Sequence, residues 1–211
     1  MAQDKGILKN LMVGLIYPAV LGTIMFDLVK DSMNVILSPS KWLAYLSVLH
    51  IYKIALVISS LIFYSCDYIY TIYTTIYRKK YFTYDFIILF VLIMTFNKIN
   101  LHNNDKYPNF ELILLYYFIF IILYYLWDHF EYKHLKNETK EKKFYRLMVI
   151  WEIFYGFAFS ILAIYSHLYK TQDGEPSSIY TSIISTFTIF SSTLIFVYLI
   201  TQKKEIYDQT E

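Results

Sequence analysis

Six apolar stretches separated by short polar segments run along the chain. They are Asn10–Phe26, Ile54–Cys66 with an upstream extension over Trp42–Tyr52, Phe86–Asn97, Leu112–Trp127, Leu147–Tyr169 and Pro176–Gln202. A bilayer core of about 30 Å is crossed by about 20 mostly apolar helical residues. The runs are continuously apolar rather than alternating, which argues for helices and against a β-barrel. The pattern predicts an all-α, polytopic integral membrane protein of six transmembrane helices. The spans are expected near 8–28, 43–66, 84–100, 110–128, 146–168 and 178–200, within a single membrane domain covering 1–211. Segments such as Ser38-Pro39-Ser40, Arg78-Lys79-Lys80, the stretch around Pro108, and Gly174 with Pro176 are loop signals.

Basic residues orient the chain. With the N-terminus inside, thirteen Lys and Arg fall on cytoplasmic segments and five on external ones. That asymmetry follows the positive-inside rule and predicts both termini in the cytoplasm. It also supports the short third span, because without it the basic hairpin 132–146 would lie outside. Lys5 and Lys9 precede an apolar run as in a signal peptide. No small-residue cleavage site follows Leu15–Phe26, so an uncleaved first span is expected.

Composition agrees with this picture. The 211 residues are 57% hydrophobic and only 17% charged, with a net charge of +2. Average soluble usage is roughly 45–50% apolar and 25% charged. The near-neutral charge gives no global field for nucleic acid, and no nucleic-acid-binding motif is present. Cys66 is the sole cysteine, so an intrachain disulfide is excluded.

Polar residues inside the spans are the candidate chemistry. An ionisable side chain at bilayer depth is costly and points to function or to a partner. Lys53, Asp67 and Glu152 are the charges in question, and Lys53 and Glu152 are expected to line one polar interior. Glu152, Gly156, Ser160, Ala163 and His167 form a small-and-polar stripe on their helix. Thr181, Ser185, Thr188 and Ser192 share a face of the last span. These residues are the pore candidates. Gly14, Pro18 and Gly22, spaced by four, are expected to pack, with a kink at Pro18. Lys136, Lys140, Lys142, Lys143 and Arg146 are expected to dock a cytosolic protein or an anionic lipid surface.

Asp128, His129, Glu131 and His134 are expected in a loop. The two histidines lie five apart and miss the i,i+4 spacing of a helical metal pair, so no metal and no cofactor is expected. G-x-S-x-G, H-E-x-x-H, Walker and Gly-rich signatures are absent. The expectation is a small homo-oligomeric protein of the plasma (inner) membrane with pore or channel character, and not an enzyme. One setting for such a chain is the membrane component of a bacterial stress or phage-defence system. The alternatives are an accessory or scaffold subunit, and a membrane enzyme using the 128–134 cluster.

Overall fold

A computed structural model describes residues 2–36, 48–73, 77, 79–99, 110–135, 140–168 and 176–208. The described residues are helical apart from two positions in connections, and no strand occurs among them. The first rod comprises α1 (Ala2–Leu11), a π-helical turn over Met12–Ile16, and α2 (Tyr17–Ile36). Then follow α3 (Val48–Tyr73), α4 (Lys79–Ile99), α5 (Phe110–His134), α6 (Lys140–Leu168) and α7 (Pro176–Asp208).

Six segments are long and apolar enough to cross a membrane: Gly6–Asp27, Ile51–Tyr73, Lys79–Ile99, Leu112–His134, Lys140–Tyr165 and Ile183–Ile206. The chain is a multi-pass membrane protein on that ground. Its outer surface agrees, since Phe26, Ile58, Phe90, Ile153, Phe157 and Phe187 are all exposed. Water would not tolerate so continuous an apolar coat, whereas lipid tails match it.

The helices run farther toward one end of the bundle than the apolar runs alone suggest. The second span reaches Tyr73 rather than 66, the third starts at Lys79 rather than 84, and the fourth ends at His134 rather than 128. The Asp128–His134 stretch is therefore helix and not loop. Tyrosines and charges occupy these added turns, and in a helix they can face inward to partners.

Packing follows a ring. The contacts run α3 to α4, α4 to α5, α5 to α6, α6 to α7, and back from α7 to α3. The connections 74–78 and 135–139 are short, so α3 with α4 and α5 with α6 form antiparallel hairpins. The first rod lies outside the ring against α3 and α4, and its span is the least buried of the six. An aromatic centre holds the ring, with Phe63 packed on Tyr117, Phe120 and Phe196 at centroid distances of 5.3–5.5 Å. Beside it the Ser60 and Tyr117 hydroxyls bond across α3 and α5 at 2.6 Å.

The π-turn has an identifiable cause. Proline has no N–H and its ring crowds the carbonyl one turn back. Pro18 thus disturbs the ladder, and the Tyr17 N–H reaches back to the Met12 carbonyl instead. Widened turns of this kind re-aim the residues that follow them. Here Tyr17 is fully buried, while Pro18 and Ala19 stay exposed.

Candidate functional site: a buried carboxyl and tyrosine chain

Each ring helix contributes one buried ionisable residue near the same end of the bundle. They are Asp67 on α3, Asp85 on α4, Asp128 on α5, Glu152 on α6 and Lys203 on α7, none more than 1% exposed. Such groups are costly in an apolar interior unless they find partners. Most of the partners are tyrosines.

The centre is a reciprocal exchange between α3 and α5. Asp67 and Tyr70 lie one turn apart on α3, and Tyr124 and Asp128 one turn apart on α5, so each pair shares a helix face. Tyr124 donates its hydroxyl to Asp67, and Tyr70 donates to Asp128. The two rings meet edge to face at 6.3 Å. The outer oxygen of Asp67 accepts the hydroxyl of Tyr17 from the first rod. Tyr64 in turn donates to the Tyr17 carbonyl, which fixes that rod against α3.

The chain extends from Asp67 toward α4. The Tyr17 hydroxyl lies 3.2 Å from the Thr71 hydroxyl, which has the Asp67 carbonyl at 3.0 Å and Asp85 at 3.5 Å within reach. Asp85 accepts the hydroxyl of Tyr77, in the connection between α3 and α4. Burial pushes the Tyr77 phenol well above its ordinary pKa, and the Asp85 charge adds to the shift. Tyr77 is therefore held as a protonated donor.

On the other side, Asp128 faces Glu152 within electrostatic reach, with Lys203 close enough to act on Asp128. The Lys203 ammonium donates to the Tyr145 hydroxyl at 2.9 Å and sits 3.7 Å from the centre of the Tyr70 ring. Tyr70 thus offers its face to the cation and its hydroxyl to the acid. Among the described residues no donor reaches four carboxyl oxygens, Asp85 Oδ1, Asp128 Oδ2 and both oxygens of Glu152, although the Asp128 and Glu152 carboxyls face each other.

The residues expected from sequence are distributed unevenly around this chain. Asp67 and Glu152 are members. Lys53 is fully buried, but it stands about 25 Å of helix rise from Tyr70 on the same helix. The cation beside the acids is Lys203, so the expected interior shared by Lys53 and Glu152 gives way to one shared by Lys203, Asp128 and Glu152. The Glu152 stripe splits, because fifteen residues overrun four turns by about 60° at 3.6 residues per turn. Gly156 stays buried, Ser160 is half-buried and returns its hydroxyl to the Gly156 carbonyl at 2.8 Å, and His167 is exposed.

On α7, Ser185 and Ser192 are buried and Thr188 is half-buried. Thr188 and Ser192 bond their own helix, at the Ile184 and Ile189 carbonyls, both at 2.8 Å. Both hydroxyls close valences of their own helix, as hydroxyls in membrane helices can without a partner on another helix. Gly14, Pro18 and Gly22 do not pack within the described chain. They are exposed, and nothing lies within 4 Å of a Cβ placed at Gly14 or Gly22. Lys140, Lys143 and Arg146 are exposed at the start of α6, and Lys142 caps the Tyr132 ring at 5.2 Å. Lys136 and the Thr181 side chain lie outside the described residues. Of the 128–134 group, Asp128 turns inward, His129 stacks on Tyr125, and His134 bonds the Phe130 carbonyl. Among the described residues, no three His, Cys, Asp or Glu side chains gather as a metal site.

Sequence reasoning missed Asp85, Lys203 and all the tyrosine donors. The available signal was Asp67-x-x-Tyr70 beside Tyr124-x-x-x-Asp128, an acid and a phenol on one face of each of two spans. No protein family matches the chain, and neither the curated proteins nor the solved structures contain a match.

Proposed function

We propose that the protein is a small membrane protein of channel-like character that passes protons along the carboxyl and tyrosine chain. The observation that carries this reading is the set of buried carboxyl oxygens that no donor reaches among the described residues, with the Asp128 and Glu152 carboxyls facing each other. A purely structural network closes its valences, since each open one costs free energy in a low-dielectric interior. Open valences next to closed ones leave room for a proton to shift between acids. Phenol hydroxyls both donate and accept, so they link one carboxyl to the next.

The basic asymmetry of the sequence supports cytoplasmic termini, with the carboxyl chain toward the cytoplasmic half of the plasma membrane. The exposed Gly14, Pro18 and Gly22 face is free to accept a neighbouring copy. The exposed Lys140, Lys143 and Arg146 are placed to meet a cytosolic partner or anionic lipid. A membrane effector governed by a cytosolic sensor, as in bacterial stress or phage defence, suits these features.

The test is proton flux into liposomes holding the purified protein, driven by a potassium diffusion potential and read with an internal pH dye. Flux above that of empty liposomes is expected, with at least a tenfold loss on Asp67→Asn or Asp128→Asn (roughly 1.4 kcal/mol in barrier). Wild-type liposomes no leakier than empty ones would refute the proposal. An accessory subunit whose acids serve only assembly would give that result.

A further inference from the structure

A groove of about 330 Å³ runs along the outer surface between α5 and α6. Phe118, Ile121, Ile122, Ile153 and Phe157 line it, with Glu152 among them. Ile153 and Phe157 are exposed, so the groove opens sideways to the bilayer rather than to either aqueous phase. Gly156 lines the groove as well, where a Cβ would meet the Ile121 side chain at 3.4 Å. Glu152 is 1% exposed, and no donor group among the described residues reaches its oxygens, its polar neighbour being the Asp128 carboxyl.

Depth narrows the occupant. Glu152 lies about 9 Å of helix rise beyond Arg146, the last charge at the start of α6. That places it inside the apolar stretch of its span, close to the polar end of the bundle. A ligand that meets this acid reaches it sideways, between the apolar walls of the groove. The walls favour an aromatic or branched apolar body, and the acid favours a positive hydrogen-bond donor. A volume of this size suits a small drug-like molecule.

We propose that this groove binds lipophilic amines from the bilayer, the protonated nitrogen pairing with the Glu152 carboxylate and the apolar body filling the groove. In such a complex the amine takes the site that the acid's own proton otherwise holds. Glu152 then releases one proton as the cation arrives and regains it as the cation leaves. Asp128, within electrostatic reach of Glu152, is the neighbour through which that proton connects to the chain. This link to proton movement rests on the function proposed above, whereas the binding itself does not.

The experiment measures binding to the full chain in nanodiscs, with empty nanodiscs subtracted. The probe is dansylcadaverine, a fluorescent lipophilic primary amine, compared with its N-acetyl derivative, which lacks the charge. Saturable binding of the amine is expected, about tenfold weaker or more for the acetyl derivative and for Glu152→Gln. Glu152→Gln keeps the shape and removes the charge, and the acetyl comparison needs no variant at all. Equal binding of the two probes would overturn the proposal and mark the groove as a lipid-tail cleft. Undiminished binding to Glu152→Gln would overturn it as well. Absence of proton flux with charge-dependent binding intact would refute the relay and leave the site standing.

Discussion

The α3–α5 exchange makes a quantitative prediction. Tyr124→Phe removes one hydroxyl and leaves the ring in place, so Asp67 loses one donor and the packing is kept. Hydrogen bonds between membrane helices average about 0.6 kcal/mol and reach about 1.7. Bonds to charged groups in proteins are worth about 1.5–3 kcal/mol. Asp67 is fully buried and holds a second phenol on its other oxygen, so the expected loss is near the upper membrane value, about 1–2 kcal/mol. Asp67→Asn should cost a similar amount, because the amide turns two acceptors into one acceptor and one donor. The double variant should then cost less than the sum, with a coupling of about 1 kcal/mol. Tyr70→Phe with Tyr124→Phe is the control, since these two share no bond. The assay is equilibrium unfolding in mixed micelles with rising denaturing detergent, followed by circular dichroism. A coupling under about 0.3 kcal/mol between Asp67 and Tyr124 would refute the exchange as a source of stability.

Lys203→Met keeps the length of the side chain but removes its bond to Tyr145 and its charge over Tyr70, and should cost about 2 kcal/mol in the same unfolding assay. Gly14→Leu with Gly22→Leu should leave the protomer stable to within about 0.5 kcal/mol, because both sites open onto free space, yet should abolish any oligomer seen by native mass spectrometry. A cysteine placed at Asn137 in a Cys66→Ala background should resist an impermeant label applied to intact cells, and one at Asn103 should react; the reverse pattern would overturn the proposed topology.

The apolar runs made the helices and their number legible, although only Pro176–Gln202 exceeds twenty uncharged residues and the shorter runs reach span length by adding polar turns at their ends. The site was legible only in part. Asp67 and Glu152 stood out as charges within apolar sequence. Asp85 and Lys203 sit close to span ends, where a charge ordinarily marks the water boundary, and Asp128 looked like the start of a loop. Only packing shows that they turn inward. The tyrosines hid for a different reason: the chain has 23 of them, and tyrosine also forms interfacial belts. On the hydroxyl face of α7, Thr188 and Ser192 bond carbonyls of their own helix, so their polarity in the sequence does not by itself mark a wet face.

The contact between Tyr17 and Asp67 also bears on how the protein is made. Asp67 enters the membrane as a carboxyl within an apolar stretch of α3, and its partner on α5 does not yet exist. Tyr124 lies fifty-seven residues farther on, a delay of about 3–11 s at ordinary synthesis rates of about 5–20 residues per second. Tyr17 lies fifty residues earlier and is already in the bilayer when Asp67 arrives. The peripheral first rod, held by little packing of its own, thus acts as an escort during synthesis: it shields the acid until the ring can close. Tyr17→Phe should on this account lower the yield of inserted protein more than Tyr124→Phe does, although the finished fold loses one phenol donor to the same carboxyl in either variant.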